Sequence, residues 1–272
     1  MVRIKLGFLA GVILAVTIGF SASPQQGLAQ KQTPPYGLGA YRDNQCVVCH
    51  LSLTEPLRVS AHFYEWLNSK HSEKAVGCDK CHGGNAMAKD REDAHKGVLR
   101  SSFPQSRLHL QNLPATCNSC HQDTVTAFVQ SKHFQALKDS GDGPSCTTCH
   151  HHMASAVIYW PPETSQLCAT CHKAEGNPAA RYAQAPALAA DVLLAFNRAD
   201  EVIGWSQFLI SEGRKRRMQL KAEEEELKKL SLILKAAKVK WHEFDLEGSR
   251  QHADQAFMQA TSVKNRLIRK GL

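Results

Sequence analysis

The sequence predicts a mainly α chain with irregular loops, organised around bound cofactors and followed by long C-terminal helices. Three observations carry that prediction. A five-residue cysteine motif occurs five times between residues 46 and 172, the segments between motifs are short and interrupted by Gly and Pro, and apolar residues beyond Pro186 fall at helical spacing. No stretch shows the period-two alternation of a strand convincingly.

The motif is Cys-x-x-Cys-His: Cys46-Val-Val-Cys49-His50, Cys78-Asp-Lys-Cys81-His82, Cys117-Asn-Ser-Cys120-His121, Cys146-Thr-Thr-Cys149-His150 and Cys168-Ala-Thr-Cys171-His172. That spacing reads as attachment of a c-type haem. Two thiols add across the two vinyl groups of one porphyrin, and the adjacent His supplies an axial ligand to its iron. The five copies consume all 10 cysteines. A zinc ribbon needs paired Cys-x-x-Cys knuckles without a His after each one, and a disulfide framework has no reason to repeat this pentapeptide. Five covalent haems are therefore expected, with His50, His82, His121, His150 and His172 as proximal ligands. The fold class becomes a multihaem cytochrome c fold built on stacked haems.

The N-terminus fits that chemistry. Arg3 and Lys5 precede an apolar run from Leu6 to Phe20, and small residues lead to Ala29. This is the pattern of a secretory signal peptide, and the run is shorter than the ~20 residues of a membrane span. Residues 1–29 are read as signal peptide, and the protein as periplasmic, membrane-bound only if the signal is retained. The formal charge of +8 falls to about +6 once Arg3 and Lys5 are removed. Two propionates per haem, offset by about one positive charge on each ferric haem core, bring the holoprotein close to neutral. Basic residues are scattered without a nucleic-acid motif, which sets nucleic acid aside.

Residues 30–180 form the expected pentahaem domain. Successive first cysteines are 32, 39, 29 and 22 residues apart, too close for five haems plus a conventional apolar core. The porphyrins must serve as core, so the apo chain should be largely unfolded. Residues 181–272 form the expected helical domain. Leu188, Val192, Phe196, Ile203 and Leu209 mark one amphipathic helix, Met218, Leu227, Leu230 and Leu234 a second, and Phe257, Val263 and Leu267 a third from about Ser249 to Lys270. Gly204 and Gly213 are expected to kink or break the first. The run Arg214-Lys215-Arg216-Arg217 reads as a solvated face.

The second axial position decides what each iron does. A second His gives a six-coordinate centre suited to electron transfer, whereas an open position lets a small molecule react. Of 14 histidines, five belong to the motifs. The distal candidates are His71 and His133, which share Ser-Lys-His, then His62 in a similar Ser-Ala-His, then His151, His95, His252, His242 and His109. His151 directly follows a proximal His and is expected to reach a neighbouring haem. His152 would then be spare. His242 and His252 would fasten the tail to the haem region.

The motif series, Trp66 with Ser69-Lys70-His71 ahead of Cys78, Cys81-His82-Gly83-Gly84, and the long helices after the last motif resemble the superfamily of hydroxylamine oxidoreductase and ammonia-forming cytochrome c nitrite reductase. That resemblance implies haems stacked in close pairs and C-terminal helices that mediate homo-oligomers. It is nearer the electron-transfer members than the enzymes. Every motif here ends in His where the reductases carry a Cys-x-x-Cys-Lys at the catalytic haem, and no Tyr follows Tyr182. The expected function is electron transfer between donor and acceptor redox proteins. The alternatives are an enzyme acting on nitrite or hydroxylamine at one open haem, and a membrane-tethered quinol dehydrogenase.

Overall fold

The computed structural model describes residues 41–151 and 157–272, so the expected signal peptide and His152 lie outside the described residues. The described residues are helical, with irregular connections and no strand. None of these helices is long and apolar enough to cross a membrane.

The first ten helices are short, and they carry the motifs. Helix α1 (Gln45–His50) holds the first and starts where the Asn44 side chain accepts from Val47 N. After α2 (Leu57–Leu67) and α3 (Lys70–Glu73), α4 (Cys78–His82) is the second motif itself. Helix α5 (Arg91–Ala94) precedes a long run of turns. The third motif bridges α6 (Leu113–Asn118) and α7 (Gln122–Val129), with His121 N donating to Cys117 O across the junction. Helix α8 (Lys132–Asp139) leads to α9 (Cys146–His150), the fourth motif, started by a reciprocal Ser145–Thr148 capping box. The fifth motif ends α10 (Pro161–His172).

Helical placement explains the motif. Residues i, i+3 and i+4 stand on one face of a helix, so a single turn points both thiols and the imidazole toward the same side. The second motif also needs a sharp exit. Gly83 and Gly84 have φ of +76° and +82°, and a Cβ on Gly84 would lie 2.5 Å from Ala94 O.

The tail is a three-helix bundle of α11 (Ala185–Lys215), α12 (Lys221–Trp241) and α13 (Leu246–Arg269), each packed on the other two. Its core runs from Val192, Phe196 and Ile203 through Leu227, Leu230 and Leu234 to Ala253, Ala256, Ala260, Val263 and Leu267. Three fully buried alanines on one face of α13 let the helices approach closely. The described haem-motif residues form one small apolar cluster of Tyr41, Val47, Phe63, Trp66 and Leu67, with Leu113, Val125, Phe128 and Leu137 buried outside it. The contrast is the one expected if porphyrin supplies the missing core.

Neither expected break in the first tail helix occurs: α11 continues through Gly204 and Gly213. Gly213 is a packing glycine, since its Cβ would lie 2.4 Å from Leu220 Cδ1. The basic run is solvent-facing and also knots the bundle end. Arg214 Nε donates to Glu224 at 2.8 Å, and Arg216 donates to the Gly271 carbonyl at 2.9 Å. The bundle is joined to the motif region by α10, which packs along α11, and by α7 against α12. Asn197 Nδ2 donates to Tyr159 O at 2.8 Å, holding the approach to α10.

Candidate haem sites

A metal–imidazole bond is about 2.0 Å long, so two imidazoles across one iron hold their centroids roughly 6 Å apart once each ring's half-width is added. Four motif histidines meet that condition with a second His. The pairs are His50–His95 at 6.1 Å, His71–His121 at 6.1 Å, His133–His172 at 5.9 Å and His150–His242 at 6.2 Å. Interplanar angles run from 18° at His150–His242 to 82° at His133–His172. Together with two thiols on each motif turn, these spacings fit a haem held on both faces.

Local sequence explains how each second His is presented. Ser69 and Ser131 are N-caps, their hydroxyls accepting from Ser72 N and Phe134 N. Ser-Lys-His therefore sets His71 and His133 in the first turn of α3 and α8. Ser60-Ala61-His62 is different: Ser60 lies inside α2, its hydroxyl donating to Leu57 O at 3.0 Å. His95 ends α5 and His242 ends α12, and each donates Nδ1–H to the carbonyl four residues earlier, Arg91 O and Lys238 O, at 2.8 Å. His172 Nδ1 likewise donates to Ala179 O at 3.0 Å. A carbonyl only accepts, which fixes the tautomer and leaves Nε2 for a metal.

Burial favours the neutral, ligating form. It pushes His50 and His71 below the usual imidazole range, and the facing rings His95 and His121 add to the shift. His133 is pushed down to about 4 by burial and by His172. His242 is also lowered by burial, partly offset by its bond to Lys238 O.

The remaining candidates are placed otherwise. His151 has φ +62° and turns its Nε2 to Glu163 at 3.1 Å. His252 is half-buried on α13 and donates Nδ1–H to Gly248 O at 2.6 Å. His109 sits in the turns ahead of α6, its N–H on Ser106 O. His62 is half-buried on α2, one helical turn before Trp66, whose indole donates to Val76 O just ahead of Cys78.

Neighbouring motifs are tied in chain order. Gln45 N donates to Ala86 O at 2.7 Å, and Arg107 donates to Lys80 O at 2.9 Å. Ser145 Oγ donates to Leu110 O at 2.7 Å, which brings the fourth motif to the third. Cys117 and Cys146 lie within hydrogen-bonding reach, which raises the Cys117 thiol and lowers Cys146 to about 7. Burial raises Cys149 to about 11, with Cys168 of the fifth motif adding.

Two aromatic residues complete the fifth site without a signal strong enough to have assigned them. Tyr182 lies 6.4 Å from His172 and accepts from Lys132 Nζ at 3.1 Å, while Phe244 lies against His133.

Two families of known proteins match the segments that carry the motifs. Residues 103–173, with the last three motifs, match the family described as cytochrome c7 and related cytochrome c. Residues 22–83, with the first two, match cytochrome c554 and c-prime. The chain is a multihaem c-type cytochrome. Over 198 residues the cytochrome is 28% identical to the C-type polyheme cytochrome OmcC of Geobacter sulfurreducens, covering 60% of this chain and 25% of that protein. It is 27% identical over 200 residues to the C-type polyheme cytochrome OmcB of the same species. It thus spans about a quarter of the length of these relatives. No solved structure matches. These matches support covalently bound haem in this chain.

Proposed function

We propose that this cytochrome is a periplasmic pentahaem carrier that passes electrons between a donor and an acceptor protein along haems arranged in motif order. The observation that carries the reading is the roughly 6 Å spacing of four motif histidines to a second His. Such pairs close both axial positions, which suits electron transfer and leaves no place for a substrate. Bound haem supplies a reversible Fe(III)/Fe(II) couple. The paired histidines would hold four of the haems from both faces, and backbone carbonyls fix the orientation of His95, His172 and His242.

His95 serves the first haem in this reading, His71 the third, His242 the fourth and His133 the fifth. For the second, with proximal His82, we assign His62. It shares a helix face with Trp66, and Trp66 is bonded to the segment that enters the Cys78 motif. The proposal includes export with removal of residues 1–29, a haem domain over 30–180, and a helical domain over 181–272 whose outer surface supports self-association. Among cytochromes of the hydroxylamine oxidoreductase and nitrite reductase superfamily, it would stand with the electron-transfer members.

The test is EPR of the purified holoprotein together with haem and iron content per chain. Five haems, all low-spin and indifferent to nitrite, hydroxylamine and cyanide, are expected. A high-spin signal that shifts with nitrite or hydroxylamine would replace this reading with an enzyme carrying one open haem.

A further inference from the structure

The turn between α12 and α13 reaches two different histidines, the motif residue His150 and the second-position residue His133. His242 opens it and faces His150. Phe244, two residues on, sets its ring 3.9 Å from the His133 ring, edge to face at 80°. Phe244 has φ +62°, a left-handed conformation that a bulky residue rarely adopts and glycine adopts freely. The turn imposes it. Phe244 N donates to Trp241 O at 2.9 Å, Asp245 caps α13 by accepting from Gly248 N, and Lys240 reaches Asp245 at 2.6 Å. An aromatic side chain at a glycine-like position calls for a reason outside the turn.

His133 supplies one. His95 and His242 are oriented by Nδ1–H bonds to the carbonyl one turn earlier. His133 is the second residue of α8, so no preceding turn of that helix offers a carbonyl. Its Nδ1 is buried and meets no hydrogen-bond partner among the described residues. What it meets is the Phe244 ring.

We propose that Phe244 is a positioning residue for the distal ligand of the fifth haem. It fixes the His133 ring by packing where the usual hydrogen bond is missing, and it keeps water from Nδ1. A hydrogen bond at that nitrogen makes imidazole a more basic ligand and favours Fe(III). Without it, the fifth haem sits at a higher potential than it would with a bonded ligand. This rests on the ligand assignment under Proposed function.

The experiment uses full-length holoprotein carrying F244G or F244L, followed by EPR and a spectroelectrochemical titration, with H133A alongside. F244G accepts the left-handed backbone and removes the ring. It should shift one low-spin signal and lower one midpoint, favouring oxidised iron by about tenfold, or about 59 mV for one electron. All haems should stay low-spin. F244L keeps the site dry and should stay near wild type. Unchanged spectra and midpoints in F244G, a raised midpoint, or an equal shift in F244L would each overturn the proposal. H133A separates the two levels. Failure of H133A to produce a high-spin haem overturns the ligand assignment itself, whereas a high-spin H133A beside a silent F244G removes only the role of Phe244.

Discussion

His71 and His121 face each other with ring centroids 6.1 Å apart, although the whole Cys78–His82 motif lies between them in the chain. The helix that precedes the second motif therefore turns its histidine toward the third. The same crossing recurs at His50–His95, where a residue beyond the second motif returns to the first, and at His133–His172, which passes over the fourth. Each pair links segments that the chain keeps apart.

His71→Ala should open the third haem and no other. EPR should show one high-spin centre that binds cyanide. In a background lacking Cys117 and Cys120 the added high-spin signal should vanish, whereas in one lacking Cys78 and Cys81 it should persist. The reverse pattern would assign His71 to the second haem.

Gly84→Ala should destabilise the holoprotein by roughly 1–3 kcal/mol, the cost of a forced backbone conformation. Its φ is +82°, and the new Cβ would meet Ala94 O at 2.5 Å. Thermal unfolding followed in the far-UV should show a lower Tm. An unchanged Tm would mean that the turn after His82 adjusts freely.

Ala256→Leu should cost about 1–3 kcal/mol through overpacking. Ala256 is fully buried on the face of α13 that meets the bundle core. Because α12 delivers His242, the fourth haem should be the first to change spin on heating. Loss of the fifth haem signal before the fourth would contradict that order.

Glu223→Gln should flatten the acid limb of stability. Glu223 is buried at the start of α12, and the Lys270 ammonium holds its carboxyl below the usual carboxylate range. A depressed folded pKa contributes stability above the unfolded value of about 4.3, lost as pH falls through the folded value. The variant should therefore be less stable than wild type at neutral pH, with the gap closing below about pH 4. Tm measured against pH for both proteins checks this, and a gap that widened with acid would refute it.

What was legible early was local. The five Cys-x-x-Cys-His motifs announced covalent haem because two thiols and an imidazole at i, i+3 and i+4 share one helical turn. The three tail helices were legible from their apolar stripes, with boundaries a few residues off. The tail glycines misled because intrinsic helix preference cannot see Leu220, whose side chain fills the space over Gly213. Adjacency to His150 suggested that His151 reaches a neighbouring haem, and what no local pattern showed is the left-handed backbone that sets its Nε2 beside Glu163.

The sequence by itself thus determined the covalent-haem chemistry and the mainly helical class, both carried by patterns within one or two turns of the chain. Only the tertiary structure decided which second histidine faces which motif, that α12 reaches the fourth site through His242, and that Phe244 covers His133. The physical reason is distance along the chain. A side chain brought from fifty residues away, as His71 is to His121, depends on how the intervening helices pack, and no local pattern encodes that path.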